Sequence, residues 1–213
     1  MSFLRNRLDL SLNYYNSKSS DIVFAQPVSS VFGPSAYYTN SAEIDNHGIE
    51  LLLNTALITN KNFEWMIGGN IAIPKSKIVS LGWTEDYLVS FDDGAQVITR
   101  VGEKPYCYYG YVAKGVFSTS AEAEAAGLSN WKGQPYEAGD VHFSDINGDG
   151  IINDKDKQII GCAAPDYFGG MNMLVRYKNF ALSAEFSYSV GNDAYNGVRR
   201  SIESMSDLNN QSQ

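Results

Sequence analysis

The feature that most constrains this chain is a strict two-residue alternation of apolar and polar side chains. The alternation is clearest between Arg7 and Tyr14, where every second residue is apolar: Leu8, Leu10, Leu12 and Tyr14. A strand turns alternate residues to opposite faces, whereas a helix repeats every ~3.6 residues, so the pattern does not suit an amphipathic helix. It predicts a β-strand with one apolar face and one polar face.

Four later segments alternate in the same way. The predicted strands therefore cover residues 7–15, 48–58, 63–73, 168–177 and 180–190. Only residues 59–62 separate the second strand from the third, and only Lys178-Asn179 separates the fourth from the fifth. Gaps this short predict two tight antiparallel hairpins, each with a Lys-Asn pair followed by Phe at its turn.

The length of these strands raises a choice between a membrane barrel and a soluble sandwich. Tilted strands of ~10 residues can cross a bilayer, and aromatic side chains near strand ends are typical of outer-membrane barrels. Here those aromatic residues are Tyr14, Tyr15, Trp65, Tyr177, Phe180 and Tyr188. Sandwich strands also alternate and also carry aromatic residues, but they are usually shorter.

The loop lengths favour the barrel. The predicted strands leave long connections at residues 16–47, 80–166 and from 191 onward, while the turns at the opposite strand ends are very short. Outer-membrane barrels show this asymmetry, with short periplasmic turns and long extracellular loops. A connection as long as 80–166 is uncommon in a compact soluble domain.

Composition excludes several classes of protein. The 24 acidic and 16 basic residues give a net charge of −8, which argues against nucleic acid as a partner because phosphate binding needs clustered Lys and Arg. No apolar run reaches the ~18 residues of a transmembrane helix, and no signal peptide is visible at the N-terminus. The widely spaced Cys107 and Cys162 suit neither a disulfide framework nor a zinc site, so they are predicted to be two unrelated small residues of the core or of an interface.

A calcium-type loop lies within the longest connection. Residues 145–156 place oxygen-bearing side chains at positions 1, 3, 5 and 12 of a twelve-residue loop, with Gly150 at the sharp turn. The predicted Ca²⁺ ligands are Asp145, Asn147, Asp149, Ile151 through its carbonyl, and Asp156. Asp156 stands where an EF-hand carries Glu, and Asn153 and Asp154 are alternative ligands. The competing interpretation is an Asx- and Gly-rich turn that holds no metal.

A short helix is predicted upstream of this loop. Thr119, Ser120 and Glu122 match a capping box, in which the side chains at the two ends of a helical turn satisfy backbone N–H groups. Alanine-rich residues follow, and Gly127 is expected to end the helix. The predicted role of the helix is to order part of the long connection.

No motif nominates an enzyme. The sequence has no Gly-x-Ser-x-Gly elbow, phosphate loop or dinucleotide fingerprint, and its histidines, His47 and His142, stand alone. Asp92-Asp93 is predicted to be a turn and not a glycosidase pair. The dense tyrosines leave two alternatives open, stacking on a sugar or peptide and ordinary strand packing. These tyrosines are Tyr106, Tyr108, Tyr109 and Tyr111.

A series of short motifs runs through the whole chain in one order. They are Asn13-Tyr14-Tyr15-Asn16, Glu43-Ile44-Asp45-Asn46-His47-Gly48-Ile49-Glu50-Leu51, Lys61-Asn62-Phe63-Glu64-Trp65, Val101-Gly102-Glu103-Lys104-Pro105, Asp145-Ile146-Asn147-Gly148-Asp149-Gly150, Pro165-Asp166-Tyr167 and Tyr177-Lys178-Asn179-Phe180. In this order they resemble the later part of the barrel of the SusC/RagA family of TonB-linked outer-membrane proteins. His47 departs from the family, which more often has Lys or another polar residue there.

The resemblance implies an all-β fold, a partial antiparallel transmembrane β-barrel that belongs to a barrel of ~22 strands. Residues 1–213 would all belong to the barrel domain of the TonB-dependent receptor, without its plug, its TonB-contacting segment and its last strands. Residues 80–166 would form a long extracellular loop region that contains the 145–156 loop. The expected location is the outer membrane of a Gram-negative bacterium of the Bacteroidota.

The resemblance also implies a function. Family members import oligosaccharides or peptides with a SusD-like surface lipoprotein and are driven by the TonB complex, so the expected partners are these proteins, the substrate and membrane lipid. No enzymatic role and no catalytic cofactor are expected, and Ca²⁺ would be structural. The alternative hypothesis is a soluble, calcium-stabilised module for carbohydrate binding or adhesion.

Overall fold

The structure is a computed structural model that describes residues 2–3, 7–27, 36–91 and 94–203. The described residues form two compact units. The first unit lies within residues 1–87, 99–105 and 163–194, and the second within residues 88–98, 106–162 and 195–213. Among the described residues, neither helix has the length and apolar character needed to cross a membrane.

Strands make up most of the chain, as the alternation predicts. In chain order they are β1 (Ser2–Phe3), β2 (Leu8–Pro27), β3 (Ala36–Thr59), β4 (Phe63–Leu81), β5 (Asp86–Ser90), β6 (Gln96–Arg100), β7 (Cys107–Gly110), β8 (Ala113–Val116), β9 (Ser129–Asn130), β10 (Val141–Phe143), β11 (Ile151–Ile152), β12 (Gln158–Cys162), β13 (Tyr167–Tyr177) and β14 (Phe180–Val190). The helices are α1 (Ser120–Ala126) and α2 (Gly197–Glu203). The prediction of an all-β fold is confirmed.

The first unit is built on one antiparallel sheet of six strands in the order β1-β2-β3-β4-β13-β14. All five predicted strands belong to it, and both predicted hairpins are confirmed. Tyr177 pairs with Phe180 across a two-residue turn at which Lys178 adopts a φ of 53°. At the other turn, Asn60 donates its N–H to the carbonyl of Phe63 at 2.7 Å. In the described part of the chain the sheet is open, with β1 and β14 at its edges.

The prediction of a long loop at 16–47 is wrong. β2 and β3 stay paired from Leu8 opposite Thr55 to Pro27 opposite Ala36, and β4 continues to Leu81 beside them. The register shifts near Asp21, which has a φ of 56°, because a β-bulge inserts there. The bulge interrupts the alternation, so the pattern ends before the strand does. Residues 28–35, between the two strands, lie outside the described residues.

The first unit has its buried core at one end of these long strands, away from the two turns. Ala42, Ile78 and Leu81 are buried there. The partly buried side chains packed against them are Ile22, Phe24, Ile44 and Tyr87. The part of the sheet nearer the turns has large apolar side chains on its surface, which the next section describes.

The second unit shows that 80–166 is not a simple loop. It contains β7, β12 and parts of β5 and β6, which form a sheet with the order β12-β7-β6-β5. It also contains two small pairs, antiparallel β8-β10 and parallel β9-β11. Its core is Phe117, Ala123, Leu128 and Ile152. The predicted helix is confirmed as α1, with Thr119 accepting the N–H of Glu122 at 3.2 Å and Gly127 at a φ of 64°.

The prediction that Cys107 and Cys162 are unrelated is also wrong. The two residues are directly opposite each other in the β7–β12 pair, with their Cα atoms 4.1 Å apart, and they form a disulfide bond. Their separation of 55 residues conceals this pairing in the sequence, because it depends on the register of two distant strands. The bond closes a segment that carries α1 and the 145–156 loop.

Candidate functional site

One face of the six-stranded sheet is apolar from β2 to β14 near the turns. We call it the leucine face and define it by the register row Leu10, Leu53, Gly69, Met171 and Phe186. Leu12, Phe180 and Leu182 extend the same face and are 68%, 80% and 62% exposed. A continuous exposed apolar surface of this kind marks contact with another apolar phase or a partner.

The opposite face is polar at the same height. We call it the asparagine face and define it by the row Asp9, Asn54, Gly68, Asn172 and Glu185, which also crosses five strands. The Oδ1 atoms of Asn54 and Asn172 converge over Gly68, where a Cβ would overlap both. A cavity of about 450 Å³ lies beside this row. The asparagine face is therefore suited to water and polar ligands.

A tyrosine covers a glycine on each face of the sheet. Tyr15 lies opposite Gly48 with its hydroxyl 2.6 Å from the place a Cβ would occupy, and Tyr188 lies over Gly169 in the same way. Tyr188 also donates its hydroxyl to the carbonyl of Asn70 at 3.2 Å, which ties β14 to β4 across β13. These contacts fix the register of the strands because only glycine leaves room for the ring.

The two faces exchange character beyond Pro74. On the leucine face, Ile71 and Ile73 are followed by exposed Lys75 and Lys77. On the asparagine face, Ile78 is only 1% exposed and belongs to the buried core. The sequence contains part of this signal, because Lys75 and Lys77 take over the odd positions of Ile71 and Ile73, and the apolar Ile78 stands at an even position.

The predicted calcium loop does bring its residues together in the second unit. Asp145 accepts the N–H groups of Gly148 and Gly150 at 2.7 and 2.8 Å, one on each carboxylate oxygen. Asp149 accepts the N–H of Ile151 at 2.8 Å. Asn147 Oδ1 accepts the N–H of Asp149 at 3.0 Å. The loop is thus a series of Asx turns closed by its own side chains.

Asp156 closes the loop from its far side. Its side chain is 0% exposed, and its two oxygens accept the N–H groups of Ile146 and Asn153 at 3.0 and 2.9 Å. Burial alone would raise the pKa of this carboxyl, but the backbone donors outweigh burial and hold the pKa below its usual range. Asn153 caps a short 3₁₀ turn, Asp154–Asp156, by accepting the N–H of Lys155.

These contacts bear on the predicted metal. Within residues 2–3, 7–27, 36–91 and 94–203, no three His, Cys, Asp or Glu side chains converge on one point as metal ligands do. The loop carboxylates accept backbone N–H groups. The carbonyl of Ile151 accepts a hydrogen bond from the side-chain amide of Asn153 at 3.0 Å. The oxygen-rich chemistry of the loop still fits a hard cation. Calcium binding stays a prediction.

The tyrosine cluster divides into packed and exposed members. Tyr111 packs against Phe143 with ring centroids 5.4 Å apart, and the ammonium of Lys157 lies 5.3 Å from the Tyr111 ring. Burial raises the pKa of Tyr111. Lys157 also binds Asp154 at 2.7 Å and lowers the pKa of that carboxyl. Tyr106, by contrast, is 69% exposed, so Tyr111 fits strand packing and Tyr106 keeps the stacking alternative open.

The residues considered for catalysis have other neighbours. His142 stacks on Phe117 with ring centroids 4.4 Å apart in the second unit. His47 pairs in register with Lys75. Asp92 and Asp93, which were predicted to form a turn, lie outside the described residues.

Comparison with known proteins gives these two units a family context. The chain is 35% identical to TonB-dependent receptor P3 of Formosa agariphila over 196 residues, which is 90% of this chain and 19% of the receptor. It is 26% identical to TonB-dependent receptor SusC of Bacteroides thetaiotaomicron over 91% of this chain and 18% of SusC. The chain is SusC/RagA-like. It spans about one fifth of the length of these curated relatives. No protein-family model matches it.

Solved structures show the same fold for this SusC/RagA-like chain. The RagAB peptide transporter matches with a TM-score of 0.73 at 20% identity, over 96% of this chain and 21% of the transporter chain. The RagAB peptide importer in its "open-open" state matches with a TM-score of 0.76 at 19% identity, over 97% and 21%. The match covers nearly all of the chain and therefore includes most of both units.

Proposed function

We propose that this SusC/RagA-like chain forms part of the wall and the extracellular mouth of a TonB-dependent importer in the outer membrane. In this role the leucine face contacts lipid and the asparagine face lines the interior of a barrel of ~22 strands. The proposal is supported by the receptor relatives and by the fold of the RagAB transporter. The chain would have no enzymatic role.

The observation that carries the proposal is the length of the leucine face. β13 and β14 have 11 residues each and are apolar on this face along their whole length. With a rise of ~3.4 Å per residue and a tilt of ~40°, such a strand spans about 26 Å along the membrane normal. Outer-membrane barrels have an apolar band of ~25 Å, so the dimensions agree.

The direction of the chain in the membrane follows from its turns. Short turns at 60–62 and 178–179 suit the periplasmic side, and the long connection 80–166 is then expected on the extracellular side. The Cys107–Cys162 disulfide is consistent with this assignment because disulfides persist in oxidising compartments outside the cytosol.

The partners and the substrate class follow from the relatives. We propose that the complete protein works with a SusD-like surface lipoprotein and the TonB complex and imports oligosaccharides or peptides. The TonB dependence of the receptor SusC and the peptide transport by RagAB support the TonB and peptide parts of this proposal. The soluble carbohydrate-binding or adhesion module is not favoured, because the relatives are receptors and because side chains such as Phe180 would be exposed to water.

Calcium has a structural place in the same proposal. A cation held by residues 145–156 would brace the second unit, with Asp145, Asn147 and Asp149 as its side-chain ligands. The spacing of these residues and their oxygen chemistry support the proposal. In the structure, hydrogen bonds already order the loop, so the metal would add to an existing framework.

The test is a scan of single cysteines along β14, each carrying a nitroxide label, in the complete protein in its native membrane. Cys107 and Cys162 are joined to each other and do not compete for the label. We expect labels at Leu182 and Phe186 to collide mainly with dissolved oxygen, and labels at Ser183 and Glu185 mainly with a water-soluble nickel complex. Equal access of nickel to all four positions would contradict the proposal.

A further inference from the structure

We infer that the leucine face binds the phosphate groups of outer-leaflet lipids at the end of its apolar part, through Lys75 and Lys77. This inference rests on the proposed function, since it requires the leucine face to contact lipid. Lys75 and Lys77 lie on that face, one and two alternate positions beyond Ile73 on β4. A bilayer that covers Ile73 therefore has its head groups beside the two lysines.

The end of the strand determines which leaflet is involved. The turns at 60–62 and 178–179 lie at the opposite end of β4 from Lys75 and Lys77. Because the turns face the periplasm in the proposed function, the lysines face the external surface. Lysine suits this depth because its four-carbon stem can lie along apolar surface while its ammonium reaches the phosphates.

The charges around the site leave these two lysines available. Lys18 is held by Glu43 at 2.7 Å, and Lys104 by Asp166 at 2.6 Å. In the part of the chain that the structure describes, Lys75 and Lys77 form no ion pair and are exposed. The one acid opposite them in register is Asp45, which pairs with Lys77 and also lies opposite Lys18.

The backbone of β4 has an open edge at the same place. β13 pairs with β4 only as far as Ala72. Among the described residues, Ile78 is the next β4 residue that bonds on this side, where its carbonyl accepts the N–H of Gly102 at 2.9 Å. Pro74, between them, has no N–H to extend the ladder. A cavity of about 500 Å³ opens there. Its lining includes His47, Lys75, Lys77, Lys104, Asp166 and Tyr167.

This geometry selects a lipid over a soluble anion. Two ammonium groups beside a cavity provide point charges for phosphate. The apolar rows directly below them provide a surface for acyl chains, which inorganic phosphate does not need. Tyr167, which is 38% exposed, has an amphipathic ring suited to the level of the head groups.

The experiment measures retention of lipid A by the complete protein in nanodiscs, using native mass spectrometry on wild type and on Lys75→Ala/Lys77→Ala. Each lysine near an anionic surface changes lipid affinity about fivefold, so we expect the double variant to bind lipid A roughly 25-fold more weakly. Lys114→Ala/Lys132→Ala removes two exposed lysines of the second unit and should retain wild-type binding. Lys75→Arg/Lys77→Arg keeps the charge and should also bind.

Three results would overturn the inference. Wild-type binding of lipid A by Lys75→Ala/Lys77→Ala would show that the lysines do not hold it. Displacement of lipid A by millimolar inorganic phosphate would assign the site to a soluble anion. Equal loss in the control variant would show a nonspecific charge effect. If the β14 labels still contact lipid in any of these cases, the proposed function stands and only this inference fails, whereas a protein that does not enter the nanodisc contradicts both.

Discussion

The two ends of β2, β3 and β4 obey opposite rules of burial. Near the turns, the leucine face exposes Leu12 and Leu53, while the asparagine face carries Asn54 and Asn70. Beyond Pro74, the same leucine face carries lysine, and the same asparagine face buries Ile78. The strands run through both ends as one sheet. The difference therefore reflects the surroundings of each end and not a change of fold.

The free energy of burying apolar side chains explains why each end of the sheet needs an apolar environment on one face. Burying a Leu or Ile side chain away from water is worth ~1.5–3 kcal/mol, and both ends of the sheet must place such side chains in an apolar environment. The far end achieves this with a small core around Ala42, Ile78 and Leu81. The end near the turns has its apolar side chains on the leucine face, where a bilayer can cover them.

The largest expected effect comes from a substitution in the buried core beyond Pro74. Ile78→Ala should destabilise the protein by about 2–5 kcal/mol because it removes a fully buried side chain and leaves a cavity. Lys77→Ala, one residue earlier on the opposite face, should change the free energy of unfolding by less than ~0.5 kcal/mol. Urea unfolding of both variants in micelles measures the difference. Similar losses in the two variants would show that the far end lacks the described core.

The next effect tests the end near the turns with neighbouring leucines. Leu53→Arg puts a charge on the leucine face and should cost about 2–4 kcal/mol if the position lies near the middle of the bilayer. Leu52 lies on the asparagine face and is exposed to a similar extent. Leu52→Arg should therefore be tolerated. Folding yields and unfolding in lipid vesicles compare the two, and equal costs would contradict the assignment of the faces.

A smaller effect concerns the tie between β14 and β4. Tyr188→Phe removes the hydroxyl that Tyr188 donates to the carbonyl of Asn70, and we expect a loss of about 1 kcal/mol. Tyr177→Phe is a matched control on β13, because no hydrogen bond of its hydroxyl is found among the described residues. Thermal unfolding monitors both variants. A larger loss of stability in Tyr177→Phe than in Tyr188→Phe would contradict the role of Tyr188 in fixing the strand register.

The smallest expected effect is the stabilisation of the second unit by Ca²⁺. If residues 145–156 bind Ca²⁺ with a Kd of about 0.1–1 mM, 1 mM Ca²⁺ should stabilise the unit by about 0.4–1.4 kcal/mol. Asp149→Ala should abolish both this shift and the heat of Ca²⁺ binding in calorimetry. Lys132→Ala is a control in the same unit. Wild-type protein that neither binds nor is stabilised would leave the metal-free Asx turn as the correct interpretation.

The sequence alone predicts much of the sheet. Alternation locates β13 and β14 to within a residue because both strands keep one apolar face throughout. It loses β2 and β3 beyond Tyr15 and Gly48 for two physical reasons. The apolar side chains change faces where the surroundings change, and the bulge at Asp21 shifts the period. The alternation therefore predicts β2 only up to Tyr15 and β3 only from Gly48, although both strands extend further.

Other features depend on contacts that local patterns do not contain. The capping box and Gly127 predict α1 because a cap is local. The spacing of residues 145–156 predicts a calcium-type loop, and the structure shows Asx turns there, which were the competing interpretation. The Cys107–Cys162 bond depends on the register between β7 and β12, which no nearby residue reveals. The burial of Asp156 likewise becomes visible only when Ile146 and Asn153 are placed around it.

The exchange of faces along β4 can be measured directly. Nitroxide labels at Ile67, Ile71, Ile73, Lys75 and Lys77 in the complete protein should report the surroundings of the leucine face at each height. The account predicts high oxygen and low nickel access from Ile67 to Ile73, and the reverse at Lys75 and Lys77. Nickel access at all five positions, or oxygen access that continues unchanged through Lys77, would contradict a membrane boundary at Pro74.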